Sequence, residues 1–140
     1  MLYFLHRLMA IALLLSIAAG CTAPNAPSLS DGQRTMCDAL GALRTAVASL
    51  SNIEPNTSIE QLRRMRERMG GLVEAARRAN TVLQNQSITE MVTAYDTFSR
   101  TVDGLNAEQT VGDAATALRA SADQVTTTLE QAYTAARCAQ

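Results

Sequence analysis

Apolar residues recur at alternating gaps of three and four along most of this chain. The first stripe is Met36, Leu40, Leu43, Val47 and Leu50, and the second Ile59, Leu62, Met65, Met69, Leu72, Ala76, Ala79 and Leu83. A third runs Ile88, Met91, Tyr95, Phe98, Val102 and Leu105, and a fourth Val111, Ala115, Leu118, Ala122, Val125, Leu129, Ala132 and Ala136. That spacing belongs to an α-helix with one buried face. No stretch alternates with the period of two that a half-buried strand requires, and no proline follows Pro55. The pattern predicts an all-α domain over residues 31–140, built of four amphipathic helices.

Start signals fall where such helices need them. Ser30 with Gln33, Thr57 with Glu60, and Ser87 with Glu90 have the spacing of capping boxes, and Thr110 is the expected cap of the fourth helix. The stretch SNIEPNTS at 51–58 is turn-like. Short connections near 84–87 and 104–110 favour antiparallel neighbours, hence an up-down-up-down four-helix bundle. Gly70-Gly71 interrupts the second stripe. A glycine inside a helix costs up to about 1 kcal/mol. The pair therefore predicts a kink or the close approach of another backbone.

The body holds two cysteines, Cys37 early in the first helix and Cys138 at the end of the fourth. With an even number of antiparallel helices these positions lie on the same side of the bundle. With an odd number they would stand about 30 Å apart, far beyond the roughly 6 Å between Cα atoms that a disulfide spans. A Cys37–Cys138 bridge is predicted, closing a loop of about 100 residues.

Upstream of the body the pattern changes. MLYFLHR carries Arg7 and the only histidine, His6, and LMAIALLLSIAAG then runs without a formal charge. The run falls short of the roughly 20 residues of a membrane span but suits the hydrophobic core of a signal peptide. Ala18-Ala19-Gly20-Cys21 resembles the lipobox of bacterial lipoproteins, with Ala18 standing where that family usually has leucine. The resemblance covers residues 1–21. It implies removal of a signal peptide, residues 1–20, and diacylation of Cys21 with chains such as palmitate, so that Cys21 becomes a membrane-anchored N-terminus. It also implies export, to the cell membrane or, since Thr22 is not aspartate, to the outer membrane of a diderm bacterium. Residues 21–30 then form the lipidated cysteine and a tether, TAPNAPSLS, rich in proline and free of charge. Export places the cysteine pair in a compartment that permits disulfides.

Composition narrows the chemistry. All 12 basic residues are arginine, against 13 acidic residues, for a net charge of −1. That balance argues against binding nucleic acid. RRMRERM is the densest basic run. Its Arg63, Arg64, Arg66 and Arg68 are candidates for surface contact with an acidic partner or anionic headgroups, set against an ordinary solvated, ion-paired face. Beyond the signal there is no histidine, which removes the commonest general base and zinc ligand. Bridged cysteines leave no thiolate, and the acidic residues stand singly. The expectation is no enzyme, no catalytic residue, no metal and no cofactor. Met36, Met65, Met69 and Met91 fall on core stripes, where thioethers fill gaps rather than bind metal or haem.

These features point to a non-enzymatic binding module of the cell envelope, contacting another envelope or extracellular protein. The alternative is a carrier or sensor holding a small apolar ligand within the bundle, in space left by the alanines of helix 4 and by Gly70-Gly71. Tight coverage of Ala115, Ala122 and Ala132 would count against the carrier. An apolar patch outside the stripes would favour a partner.

Overall fold

The computed structural model describes residues 28–50, 54–108 and 110–138. Cys21, the signal peptide and most of the tether lie outside the described residues. Four helices follow one another: α1 (Leu29–Leu50), α2 (Ile59–Leu83), α3 (Gln86–Asp103) and α4 (Ala115–Ala135). Each packs on its two neighbours in the ring, α1 on α2 and α4, and α3 on α2 and α4. Contacts across the seams run in opposite chain directions. Arg66 reaches Asp103 and Arg77 reaches Asp96 between α2 and α3, while Gln33 meets Ala136 and Arg44 meets Glu130 between α1 and α4. The bundle is antiparallel throughout.

The four stripes form its interior. Met36, Leu40, Leu43, Ile59, Met69, Ile88, Met91, Phe98, Val102, Val125 and Leu129 are all buried. The structure shifts the α2 stripe, however. After Met69 the buried positions are Val73 and Ala76, while Leu72 and Met65 are only half-buried. Ala39, Ala94 and Ser121 are also buried, and the Ser121 hydroxyl is satisfied by donating back to the carbonyls of Ala117 and Leu118.

The two glycines between Met69 and Val73 differ in their surroundings. The helix passes through Gly70-Gly71 without a break, and what comes close is a side chain rather than a backbone. The Tyr95 hydroxyl donates to the Arg66 carbonyl at 2.6 Å, and a Cβ placed on Gly70 would stand 2.8 Å from that oxygen. Burial in this niche pushes the Tyr95 phenol pKa up. A Cβ on Gly71 would meet nothing within 4 Å. Gly71→Ala is therefore expected to raise stability by about 0.5–1 kcal/mol. Gly70→Ala is expected to lower it by about 1–2 kcal/mol, because displacing the phenol outweighs the gain in helix propensity. In a Tyr95→Phe background the nearest atom is the ring carbon at 3.7 Å, an ordinary contact, and Gly70→Ala becomes stabilising. Urea denaturation of the four proteins checks this; an unchanged sign in the Tyr95→Phe background would refute the assigned role of the hydroxyl.

The caps of α1, α2 and α3 lie one or two residues from the predicted ones, and that of α4 four residues beyond, because other groups compete for the same backbone. α1 begins before Ser30. The Ser28 hydroxyl accepts from the Asp31 N–H and donates to its carboxylate, which is held below the usual carboxylate pKa. Residues 29 and 30 thus belong to the helix rather than the tether. Ser58, not Thr57, caps α2, accepting from the Gln61 N–H, and the Thr57 carbonyl is taken by the Val111 N–H. Asn85, not Ser87, caps α3. Thr110 pairs with Asp113 in the turn before α4, whose own N-cap, Ala114, offers no side chain. The bonds from Thr110 hold the Asp113 pKa down. Stability from this pairing is present above pH about 4 and is lost as pH falls through the lower folded value.

The two long connections meet at one end of the bundle. Val111 and Gly112 donate to the carbonyls of Thr57 and Pro55, at 3.0 and 2.8 Å. A Cβ on Gly112 would lie 3.1 Å from the Pro55 oxygen, so glycine permits the approach. At the other end Asn80 clamps the tight α2–α3 turn, its side chain donating to the Asn85 carbonyl and accepting from the Asn85 N–H. Here too Cys37 and Cys138 are bridged, with Cα atoms 5.2 Å apart. These are called the loop end and the disulfide end below.

Candidate functional site

The arginine run divides into two pairs. Arg63 and Arg66 turn toward the end of α3. Arg63 donates to the Leu105 carbonyl at 2.7 Å, and Arg66 pairs with Asp103. Both guanidinium groups thus sit where the helix dipole and unbonded carbonyls favour positive charge. Arg66 is only 22% exposed, and its Nε is buried without a hydrogen-bond partner. Arg64 pairs with Glu60 at 3.1 Å along the same helix, and Arg68 donates to the Arg64 carbonyl. Arg77 and Arg78 share Glu74, and Arg77 also reaches Asp96. Arg64 and Arg68 remain exposed beside Glu67. The four arginines do not converge on one patch. A 3.6-residue period already spreads consecutive residues around a helix, but the α3 partners of Arg63 and Arg66 depend on the tertiary fold.

A more distinct feature is an open groove at the loop end, about 350 Å³ in volume. Val47 and Leu50 of α1 form one wall, and Val111, Ala115 and Ala122 form the other, from the turn and the first half of α4. Leu62, Phe98 and Leu118 lie beneath. Arg119, Asp123 and Thr126 stand on the rim, and neither Arg119 nor Asp123 is ion-paired. The groove lies where α4 presents the small side chains of Ala115 and Ala122 to Val47 and Leu50 of α1, so half-buried apolar surface stays uncovered there. Further along the same seam the helices are tied together by side chains. The Arg44 guanidinium lies 4.5 Å from the Tyr133 ring centroid and pairs with Glu130 at 2.7 Å. A larger recess beside the groove, about 630 Å³, is lined mainly by polar groups such as Ser49, Asn56, Ser58 and Gln61, with Met65 at its edge.

The interior offers little room for a carrier. Ala132 is fully buried, Tyr95 fills the niche at Gly70, and the Tyr95 and Phe98 rings stand 6.4 Å apart in the core. Of the three helix-4 alanines whose coverage bears on a carrier, Ala115 and Ala122 remain partly uncovered, and they face the groove. Met36, Met69 and Met91 are packed in the core. Among the described residues no three of His, Cys, Asp and Glu gather as metal ligands would. No described helix is long and apolar enough to cross a membrane. Sequence reasoning singled out Ala115, Ala122, Phe98 and Leu118 as determinants of packing. It missed that they line one groove with Val47, Leu50 and Val111, for which the only signal was the small residues of helix 4. Compared with protein-family models, curated proteins and solved structures, the chain matches none.

Proposed function

We propose that this chain is an exported lipoprotein, anchored through Cys21, that acts as a non-enzymatic binding module of the cell envelope. Its partner is another envelope or extracellular protein, received in the α1–α4 groove. The observation that carries this proposal is the groove itself: apolar along its walls and floor, polar at its rim, and half-open to solvent. An open apolar trough suits an amphipathic segment laid along it. A small ligand, by contrast, is normally held with most of its surface covered. The lipobox-like Cys21 supports the anchor, and the Cys37–Cys138 bridge is consistent with an oxidising compartment.

A photo-crosslinking residue at Ala122 in intact cells is expected to capture a discrete protein, whereas the same residue at Thr93, exposed on α3, captures none. Ala122→Glu leaves the melting temperature within a few degrees, because a carboxylate at this half-buried position reaches solvent in the free protein, and lowers capture about tenfold or more, because a seated partner would cover it. Equal capture at both positions, or none at Ala122, would sink the groove as the binding site. Fractionation reads the anchor separately: Cys21→Ser moves the chain from the membrane to the soluble fraction and removes the acyl mass.

A further inference from the structure

The start of α1, the end of α2, the start of α3 and the end of α4 converge at the disulfide end. Between them lies a recess of about 470 Å³, floored by Met36, Leu83, Ile88 and Ala136. Among the described residues, the two large apolar side chains most open to solvent are Leu29, 67% exposed, and Val82, 37% exposed. Both belong to this end, and both fall outside the four core stripes. The helix ends that carry them adjoin, since a Cβ on Gly32 would lie 3.9 Å from Leu83 Cδ2. Arg34 and Arg137 are exposed here as well, neither in a close ion pair, although the Arg34 charge also acts on Asp31. The acidic groups at this end are Asp31, whose carboxylate is engaged by Ser28, Glu90, which accepts from Gln86, and Asp38, exposed next to Cys37 and one turn along α1 from Arg34.

Chain connectivity limits how far this end can lie from a bilayer that holds Cys21. Ser28 follows Cys21 by seven positions. At about 3.3–3.6 Å per residue, a lipid on Cys21 cannot let Ser28 stray more than about 25 Å from the bilayer. The groove lies toward the far end of α1, whose 22 residues span about 33 Å.

We propose that the disulfide end is a bilayer-docking face. Leu29 and Val82 enter the headgroup region, Arg34 and Arg137 meet lipid phosphates, and the groove points away from the membrane. This rests on anchoring at Cys21. Two apolar side chains and two arginines would hold a free protein to a bilayer only weakly. The tether makes the contact intramolecular, so a weak face suffices.

The chain has no tryptophan, so a single introduced indole reports cleanly. Three variants, Leu29→Trp, Val82→Trp and Gln61→Trp, are made in the chain from Cys21 onward, which contains every described residue. With Cys37 and Cys138 bridged, Cys21 is the free thiol. It is coupled to maleimide lipid in phosphatidylcholine–phosphatidylglycerol vesicles with brominated acyl chains. The anchor is thus supplied chemically, and a failure of lipidation in cells is read separately by the Cys21→Ser fractionation. The expected result is a blue-shifted emission and quenching at least about threefold stronger at positions 29 and 82 than at the loop-end position 61. Arg34→Gln with Arg137→Gln, made in the Leu29→Trp chain, weakens the quenching, as does high salt. Equal quenching at all three positions, or none at 29 and 82, overturns the proposal. So does a blue shift without bromine quenching that grows with protein density, which would assign this end to a second copy of the chain.

Discussion

Replacing Cys37 and Cys138 by serine is expected to lower the unfolding free energy by about 4–5 kcal/mol. The bridge joins residues 101 apart in sequence, and nearly the whole body lies within the closed loop. Loop-closure entropy for about 100 residues amounts to about 4.7 kcal/mol, felt chiefly as a constraint on the unfolded chain. The native contacts around the pair are few enough to leave that figure standing: Gln33 donates to the Ala136 carbonyl and lies near the Cys37 sulfur. Domains of this size have a total stability of about 5–15 kcal/mol, so the loss is a large fraction of the whole. Urea titrations of the bridged and serine-substituted chains should show a lower midpoint. They should also show a steeper slope for the variant, because its unfolded state is less compact. A loss below about 1 kcal/mol would mean that the fold is held by its core alone and that the entropic account fails here.

Phe98→Ala is expected to cost about 3–5 kcal/mol, the range for removing a large aromatic side chain from a packed interior. Phe98 is 1% exposed, neighbours Tyr95 in the core and underlies the groove. Its aromatic neighbour Tyr95 is fixed by the bond from its hydroxyl to the Arg66 carbonyl, so it is not free to close the space. Phe98→Leu retains most of the volume and should cost under about 2 kcal/mol. The disulfide acts on the unfolded chain, whereas Phe98 acts on native packing at the loop end, so the two effects should add. Phe98→Ala combined with reduction of the bridge should remove about 8 kcal/mol and abolish a cooperative transition at room temperature. Clear sub-additivity in thermal or urea unfolding would show that the two sites are coupled through the core.

The disulfide was legible in the sequence only through the helices. Nothing about Cys37 or Cys138 by itself selects a partner. The stripes supplied four helices, the short connections made them antiparallel, and an even count put both cysteines at one end. The all-α class, the helix spans to within a few residues, and most buried positions follow from the same source. That source is local: a side chain faces the core because of its place in a 3.6-residue period, whatever the neighbouring helix turns out to be.

What the period could not reveal depends on the neighbour. Gly70 and Gly71 are alike in sequence, yet only Gly70 receives the Tyr95 hydroxyl, because only there does α3 bring a phenol against α2. Thr57 and Ser58 are both competent caps, and Ser58 takes the role while the Thr57 carbonyl is drawn to Val111 from a distant connection. Arg63 and Arg66 lie in the same basic run as Arg64 and Arg68, and the end of α3 separates them. The groove is the extreme case. Every residue lining it has the spacing of an ordinary core or rim position, and none is exposed by its own pattern. Whether Val47, Ala115 and Ala122 meet or stand apart is decided by how closely α1 and α4 pack. That spacing reflects the summed volumes of side chains on four helices, a non-local quantity that no window of the sequence contains.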